Sequence, residues 1–496
     1  FWLKLLDALH PTCHPSLRRN SAFLRRTRLA AMPGQSRVQV LSAHVVARAA
    51  APPGRGLAAV ATAKKGASGF DDAWEPRLTA KPGQTMGALG VKHPDDVVVV
   101  SALRTAMGKA NKGSFKDTAP EDMLSPVLAA VCERVGLDKK LVDDIVVGNC
   151  NPNGFAGVAP AKFLAGYPET VACSTMNRQC SSGLSAILTI AAQIRAGVID
   201  VGIGGGVERM SGSGFGQPIA KAKAAPKAEA KKEASRPKIN QKILDMPIAR
   251  DTLIPMGITS ENVSERYGIK REDQDKLGFE SQSKAAIAQK QGFFESEIVP
   301  VTTKVMKEDG SEQTVTVDKD EGIRATTLEA LAKLKPAFKP DGSTTAGSSS
   351  QTTDGAAAVL LMRRSKAEEL KMPVLAAMRA SALVGVPPDV MGIGPAFAIP
   401  EVLTKAGLGV GDVDVYEVNE AFASQAEYTV RKVGIPRERL NPVGGAIALG
   451  HPLGCTGARQ VATLLPQLKR SKGKYGITSM CMGTGMGMAA LFENEQ

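Results

Sequence analysis

The sequence predicts a mixed α/β architecture built from two similar layered halves. From Asp95 onward, short apolar runs of strand length alternate with helix-length segments, beginning at "DDVVVVSALRTA", and this alternation is what βα layering produces. The same order of turn, helix and strand then occurs twice, which reads as a pseudo-repeat. A more polar stretch separates the two copies.

Residues 1–94 lack sustained periodicity and are rich in Ala, Arg, Pro and Gly, so they are expected to be a disordered targeting leader outside the fold. The first half is placed at 95–215. In it Cys180 leads into Leu184, Ile187, Leu188, Ala191 and Ile194 at helical spacing, followed by Gly197 and the strand-like "DVGIGGG". Residues 216–350 form the polar stretch, expected as an inserted loop domain. Its tract "AKAKAAPKAEAKKEASRPK", near 220–238, has almost nothing to bury and is expected as a solvated loop. Residues 351–370 complete the first half, and 371–496 form the second. There His451 leads into a helix with Val461, Leu464, Leu465 and Leu468 on one face, followed by the strand-like "YGITSMCMG". Both copies put a reactive side chain at a helix entrance.

Composition excludes several classes. With 496 residues, 43% of them hydrophobic, the chain can bury a large core. No apolar run approaches the roughly 20 residues of a membrane helix, so no membrane span is expected. The net charge is +13, yet residues 1–94 carry 14 Lys/Arg against 4 Asp/Glu and residues 219–250 carry 9 against 3, leaving the remainder about −3. No globally basic domain is left to follow a phosphate backbone, which excludes a nucleic-acid partner. Seven cysteines without a C-x-x-C pair fit neither a zinc ribbon nor a secreted disulfide framework, and no metal site is expected.

The single histidine of residues 95–496, His451, lies in "GGAIALGHPLGCTGAR", where glycines allow close approach of backbone and ligand at a helix start. "CMGTGMG" sets Cys481 before alternate glycines whose N–H groups can face a cavity. Cys180 stands in "NRQCSSGLSAI" at a helix N-terminus, which favours a thiolate over the free thiol of pKa about 8.5. A buried, inert thiol is the competing reading, but it leaves the histidine, the second cysteine and the glycine turns unexplained together.

Taken in order, "NRQCSSGL", "PMGITSENV", "DGSTTAGSSSQTTDGAA", "NEAFASQ", "GGAIALGHPLGCTGAR" and "CMGTGMG" make the chain resemble the thiolases, most closely the peroxisomal 3-ketoacyl-CoA thiolases of β-oxidation. The resemblance spans about residues 95–494. It implies the thiolase fold: two pseudo-repeated α/β halves in five layers, α-β-α-β-α, with paired helices buried between five-stranded sheets and a loop domain over the active site. It also implies a homodimer or tetramer. Carried over position by position, Cys180 is the nucleophile, His451 its activating base, Cys481 the acid/base, and Asn419 of "NEAF" the holder of a catalytic water. The N–H groups of Cys180 and Gly483 would form an oxyanion hole, with Met256 lining the acyl or pantetheine region and Ser350 contacting pantetheine. Coenzyme A is then a co-substrate, and no other cofactor is implied. The implied reaction is thiolytic cleavage of a 3-ketoacyl-CoA to acetyl-CoA and a shortened acyl-CoA through a cysteinyl acyl-enzyme.

Departures from the family pattern are Ser348, where Asn is usual, and Thr252, where close relatives often carry cysteine. Pro255 stands where biosynthetic acetoacetyl-CoA thiolases commonly have histidine, which favours the degradative reading over a biosynthetic acetyl-CoA C-acetyltransferase. A non-catalytic CoA-binding scaffold on the same fold is the rival of another class. A dinucleotide site at "GIGGGVERM" fails the G-x-G-x-x-G spacing, because Val207 stands where the third glycine belongs. "RVQVLSAHV" (Arg37, Val38, Leu41, His44, Val45) resembles a type-2 peroxisomal signal, which implies an import receptor and a peroxisomal or glyoxysomal location. The alternative is mitochondrial, from the acid-poor residues 1–31. Met32 is the expected start, since the chain given begins at Phe1.

Overall fold

A computed structural model of the chain describes residues 74–213 and 239–496. The targeting motif at 37–45 and the lysine-rich tract at 220–238 lie outside the described residues. In chain order the framework runs β1 (Val97–Arg104), α1 (Pro120–Glu133), β2 (Asp144–Gly148), α2 (Val158–Leu164), β3 (Ala172–Met176), α3 (Ser182–Arg195), β4 (Val201–Arg209), α4 (Met256–Tyr267), α5 (Arg271–Lys290), β5 (Thr353–Arg363), β6 (Ala376–Gly385), α6 (Pro395–Ala406), β7 (Val415–Val418), α7 (Ala423–Val433), α8 (Leu453–Ser471), β8 (Tyr475–Met482) and β9 (Met486–Asn494). A hairpin, Val301–Met306 with Glu312–Val317, follows α5.

The internal repeat is explicit in the strand pairing. In the first half β1 pairs antiparallel with β5, β5 antiparallel with β4, β4 parallel with β2, and β2 parallel with β3. The second half repeats this as β6 with β9, β9 with β8, and β8 with β7. Its fifth place is filled only by a parallel bridge between Tyr416 and Leu440. The two sheets are also joined. They meet edge to edge through β1 and β6 at Val98–Ala377 and Val99–Ala376, making one continuous sheet. β1 and β6 are apolar along most of their length, and each covers part of the other's outer edge.

Helices α3 and α8 pack on one another between the sheets, while α1 and α2 cover one outer face and α6 and α7 the other. Five layers result. Leu184, Ile187, Ile190, Ala191 and Ile194 of α3 and Val461, Leu464, Leu465 and Leu468 of α8 are all buried in that middle layer, while Leu188, expected on the same α3 face, is only partly buried at its margin. The glycines of β4 serve this packing. A Cβ on Gly204 would strike the Ile187 backbone of α3, and one on Gly206 the Gly454 carbonyl of α8.

Residues 74–94, assigned from sequence to the leader, instead form an extended strap on the second half. Thr79 N–H donates to Glu401 at 2.7 Å, Gly83 N–H to the Lys405 carbonyl at 2.9 Å, and Gly90 N–H to Glu493 at 3.0 Å. The Trp74 ring meets Phe397 edge-on at 5.2 Å. A strap held by single backbone hydrogen bonds has no apolar period, and so it read as leader. At Ser348 the loop bonding is satisfied without asparagine: its Oγ accepts the Thr345 N–H at 2.9 Å and its carbonyl the Ala423 N–H at 2.8 Å.

Candidate active site

Cys180 sits in the tight turn that opens α3. Gln179 adopts φ +50°, a left-handed conformation that reverses the chain ahead of the thiol. The turn is braced on both sides: Gln179 N–H donates to Asn177 Oδ1 at 2.8 Å, and Ser182 Oγ accepts from Arg178 N–H at 2.8 Å while donating to the Gln179 carbonyl at 2.6 Å. Cys180 is buried, and the backbone N–H groups of Gly483 and of Cys180 itself favour the charged form of its sulfur.

Gly483 comes from the other half. Cys481 ends β8 as a fully buried thiol, and the turn after it carries Gly483 to Cys180. Burial, and after it the charge of the Cys180 thiolate, pushes Cys481 well above the ordinary thiol range. Met256, at the start of α4, packs with Cys481, Phe422 and Met391, and its sulfur lies 3.6 Å from where a Cβ on Gly483 would stand. Ser350 donates its N–H to the Ala421 carbonyl at 3.0 Å, one residue before Gln351, whose carbonyl takes the His451 N–H at 3.0 Å.

His451 is buried two residues before α8. Its Nδ1 lies 2.7 Å from Thr456 Oγ1 and its Nε2 3.4 Å from Asn419 Nδ2. An Nδ1–H donated to Thr456 leaves Nε2 as the lone-pair nitrogen, consistent with Asn419 as donor towards it. Asn419 Oδ1 is a buried acceptor with no partner among the described residues.

Burial, which the sequence does not weigh, outruns the helix N-terminus. It drives the Cys180 thiol up to about 11, against the two N–H groups that favour the thiolate. Burial, and secondarily Arg459, holds His451 down to about 3. At neutral pH Cys180 is therefore a thiol and His451 a neutral imidazole, and among the described residues no hydrogen bond joins them. A free imidazole gains its proton as pH falls through about 6.5. His451 is instead expected to keep its neutral ¹⁵N shifts in histidine-labelled protein from pH 8 to 5.5. Movement of its ring resonances across that range would refute this.

Sequence reasoning missed Thr456, Gln179 and Gln351. Only Thr456 left a signal, a hydroxyl in the first turn of the helix that follows the histidine.

Residues 97–365 match the thiolase N-terminal domain family and residues 372–494 the thiolase C-terminal domain family. The chain belongs to the thiolase family. Among relatives of this thiolase, the mouse peroxisomal 3-ketoacyl-CoA thiolase A is 57% identical over 402 residues, 80% of this chain and 91% of the relative. The crystal structure of the dimeric peroxisomal thiolase of Saccharomyces cerevisiae superposes with a TM-score of 0.72 at 43% identity, covering 82% of this chain and 99% of the other. A Bacillus anthracis acetyl-CoA acetyltransferase matches at 0.70 and 38% identity, over 81% of this thiolase and 99% of that chain.

Proposed function

We propose that this thiolase cleaves 3-ketoacyl-CoA with CoA, giving acetyl-CoA and an acyl-CoA two carbons shorter, in peroxisomal β-oxidation. The observation that carries the reading is the meeting of the two halves at the Cys180 turn: a Cβ on Gly483, two residues after Cys481, would lie 3.7 Å from Oε1 of Gln179, the residue before the nucleophile.

In this reading His451 Nε2 takes the Cys180 proton and the thiolate adds to the C3 carbonyl. The N–H groups of Cys180 and Gly483 then stabilise the oxyanion. The C2–C3 bond breaks, leaving a thioester on Cys180 and the enolate of acetyl-CoA. His451 and a water on Asn419 face the enolate oxygen, and Cys481 gives its proton to C2. The Cys481 thiolate next deprotonates the incoming CoA thiol, which attacks the acyl-enzyme. Run backwards, the same steps are a Claisen condensation.

Support for the degradative direction comes from Pro255 before α4 and from the higher identity to the mouse 3-ketoacyl-CoA thiolase than to the bacterial acetyltransferase. Thiolysis should have a kcat/KM at least roughly tenfold higher on medium and long 3-ketoacyl-CoA than on acetoacetyl-CoA, as added methylenes find apolar wall. A preference for acetoacetyl-CoA would favour the biosynthetic reading.

The peroxisomal names of the mouse and yeast relatives support the location, with the type-2 import receptor as partner. A homodimer is supported by the edge strand β3. It pairs only with β2 among the described residues and is largely exposed.

A further inference from the structure

Glu208, near the end of β4, is a fully buried carboxylate that the reaction above does not use. Its Oε2 accepts the Gly454 N–H at 2.8 Å and the Cys150 N–H at 2.9 Å. Its Oε1 accepts the Asn151 N–H at 2.9 Å and, more weakly, Asn149 Nδ2 at 3.4 Å. Gly454 is the second residue of α8, a 19-residue helix whose cap position is Pro452 and offers no side-chain cap. Glu208 thus meets, from the first half, one of the unpaired N–H groups that open the second half's longest helix.

Each end of this clamp leads to a reactive group. On one side Gly454 shares the first turn of α8 with Thr456, whose hydroxyl holds His451 Nδ1 at 2.7 Å. On the other side Cys150 Sγ donates to Gln179 Oε1 at 3.4 Å, and the Cys150 carbonyl accepts from Asn177 Nδ2 at 3.0 Å. Both contacts fall on the turn that presents Cys180. There is little slack between the ends: a Cβ on Gly454 would lie 2.8 Å from Asn149 Cα and 3.0 Å from Glu208 Oε2.

We infer that Glu208 is a positioning residue for the reaction, fixing the base-bearing helix of one half against the nucleophile-bearing turn of the other. This inference rests on the roles proposed for Cys180 and His451. Every partner of the carboxylate is an N–H donor, so an amide cannot replace it: a glutamine must aim its own NH₂ at donors on one side.

The test is steady-state thiolysis by full-length Glu208→Gln, beside wild type and Cys180→Ser. Glu208 touches no substrate in this scheme. Its loss should therefore lower kcat about 10- to 100-fold, the scale of a misplacement near 1 Å, with KM for both substrates within about twofold. A purely structural role predicts lower thermal stability and less active protein, with unchanged kcat per titrated Cys180. If Glu208→Gln does not fold, Glu208→Asp keeps the charge but shortens the reach, and the same loss in kcat alone is expected. Unchanged kcat per active site in either folded variant, or a loss carried by KM, overturns the inference. Wild type that cleaves no 3-ketoacyl-CoA would overturn the proposed function as well, and Cys180→Ser separates the two failures.

Discussion

Cys180→Ser is expected to abolish acyl transfer, lowering kcat by roughly 10⁴-fold or more while leaving the fold in place. The burial that raises the thiol to about 11 acts on a hydroxyl that starts several units higher still, so His451 cannot ionise it to a useful degree. The exchange is nearly isosteric, and Cys180 touches the core only at the head of α3, so the thermal midpoint should move little. The decisive measurement uses radiolabelled acyl-CoA alone and counts acyl groups retained on denatured protein. Wild type should trap label and the serine variant none. Label on the variant would remove Cys180 from the role of nucleophile.

Cys481→Ala should separate two chemistries. Thiolysis and condensation both need a proton delivered to or taken from the α-carbon, and loss of a positioned acid/base costs roughly 10²–10⁴ in rate. Acylation of Cys180 from a simple acyl-CoA involves no α-carbon proton, so labelling of the variant should continue near the wild-type extent. Equal loss of all three activities would contradict the assignment of Cys481 to the α-carbon.

Much of the architecture was legible because the relevant signals are periodic or local. The α3 face from Leu184 to Ile194 and the α8 face from Val461 to Leu468 were read from 3.6-residue spacing, and both are buried in the middle layer except for Leu188, which is only partly buried. The strap at 74–94 was not legible, because Thr79, Gly83 and Gly90 attach through backbone hydrogen bonds that any residue can make. The joining of the sheets was equally hidden: two residue pairs between β1 and β6 leave no pattern in sequence. At the site, Cys180, His451, Cys481 and Asn419 stood out through their motifs. The electrostatic balance did not, since the helix N-terminus can be read from sequence and the depth of burial cannot. Glu208 was passed over for a related reason. It lies in a glycine-rich run weighed only as a failed dinucleotide fingerprint, and its partners are backbone groups more than 50 residues away in either direction.

The glycine contacts between the two central helices bear on how precisely the site can be held. A Cβ on Gly183 would press within 2.7 Å of the Gly454 carbonyl, and one on Gly457 would overlap the Leu184 backbone. The entrances of α3 and α8 therefore touch main chain to main chain, without an intervening layer of side chains. Rotamer hopping cannot loosen such a contact, because it contains no side-chain torsion. The spacing of the elements that carry nucleophile and base is thus a property of the backbone, with its entropy lost once, at folding. Each turnover then begins from an arrangement that need not be found again.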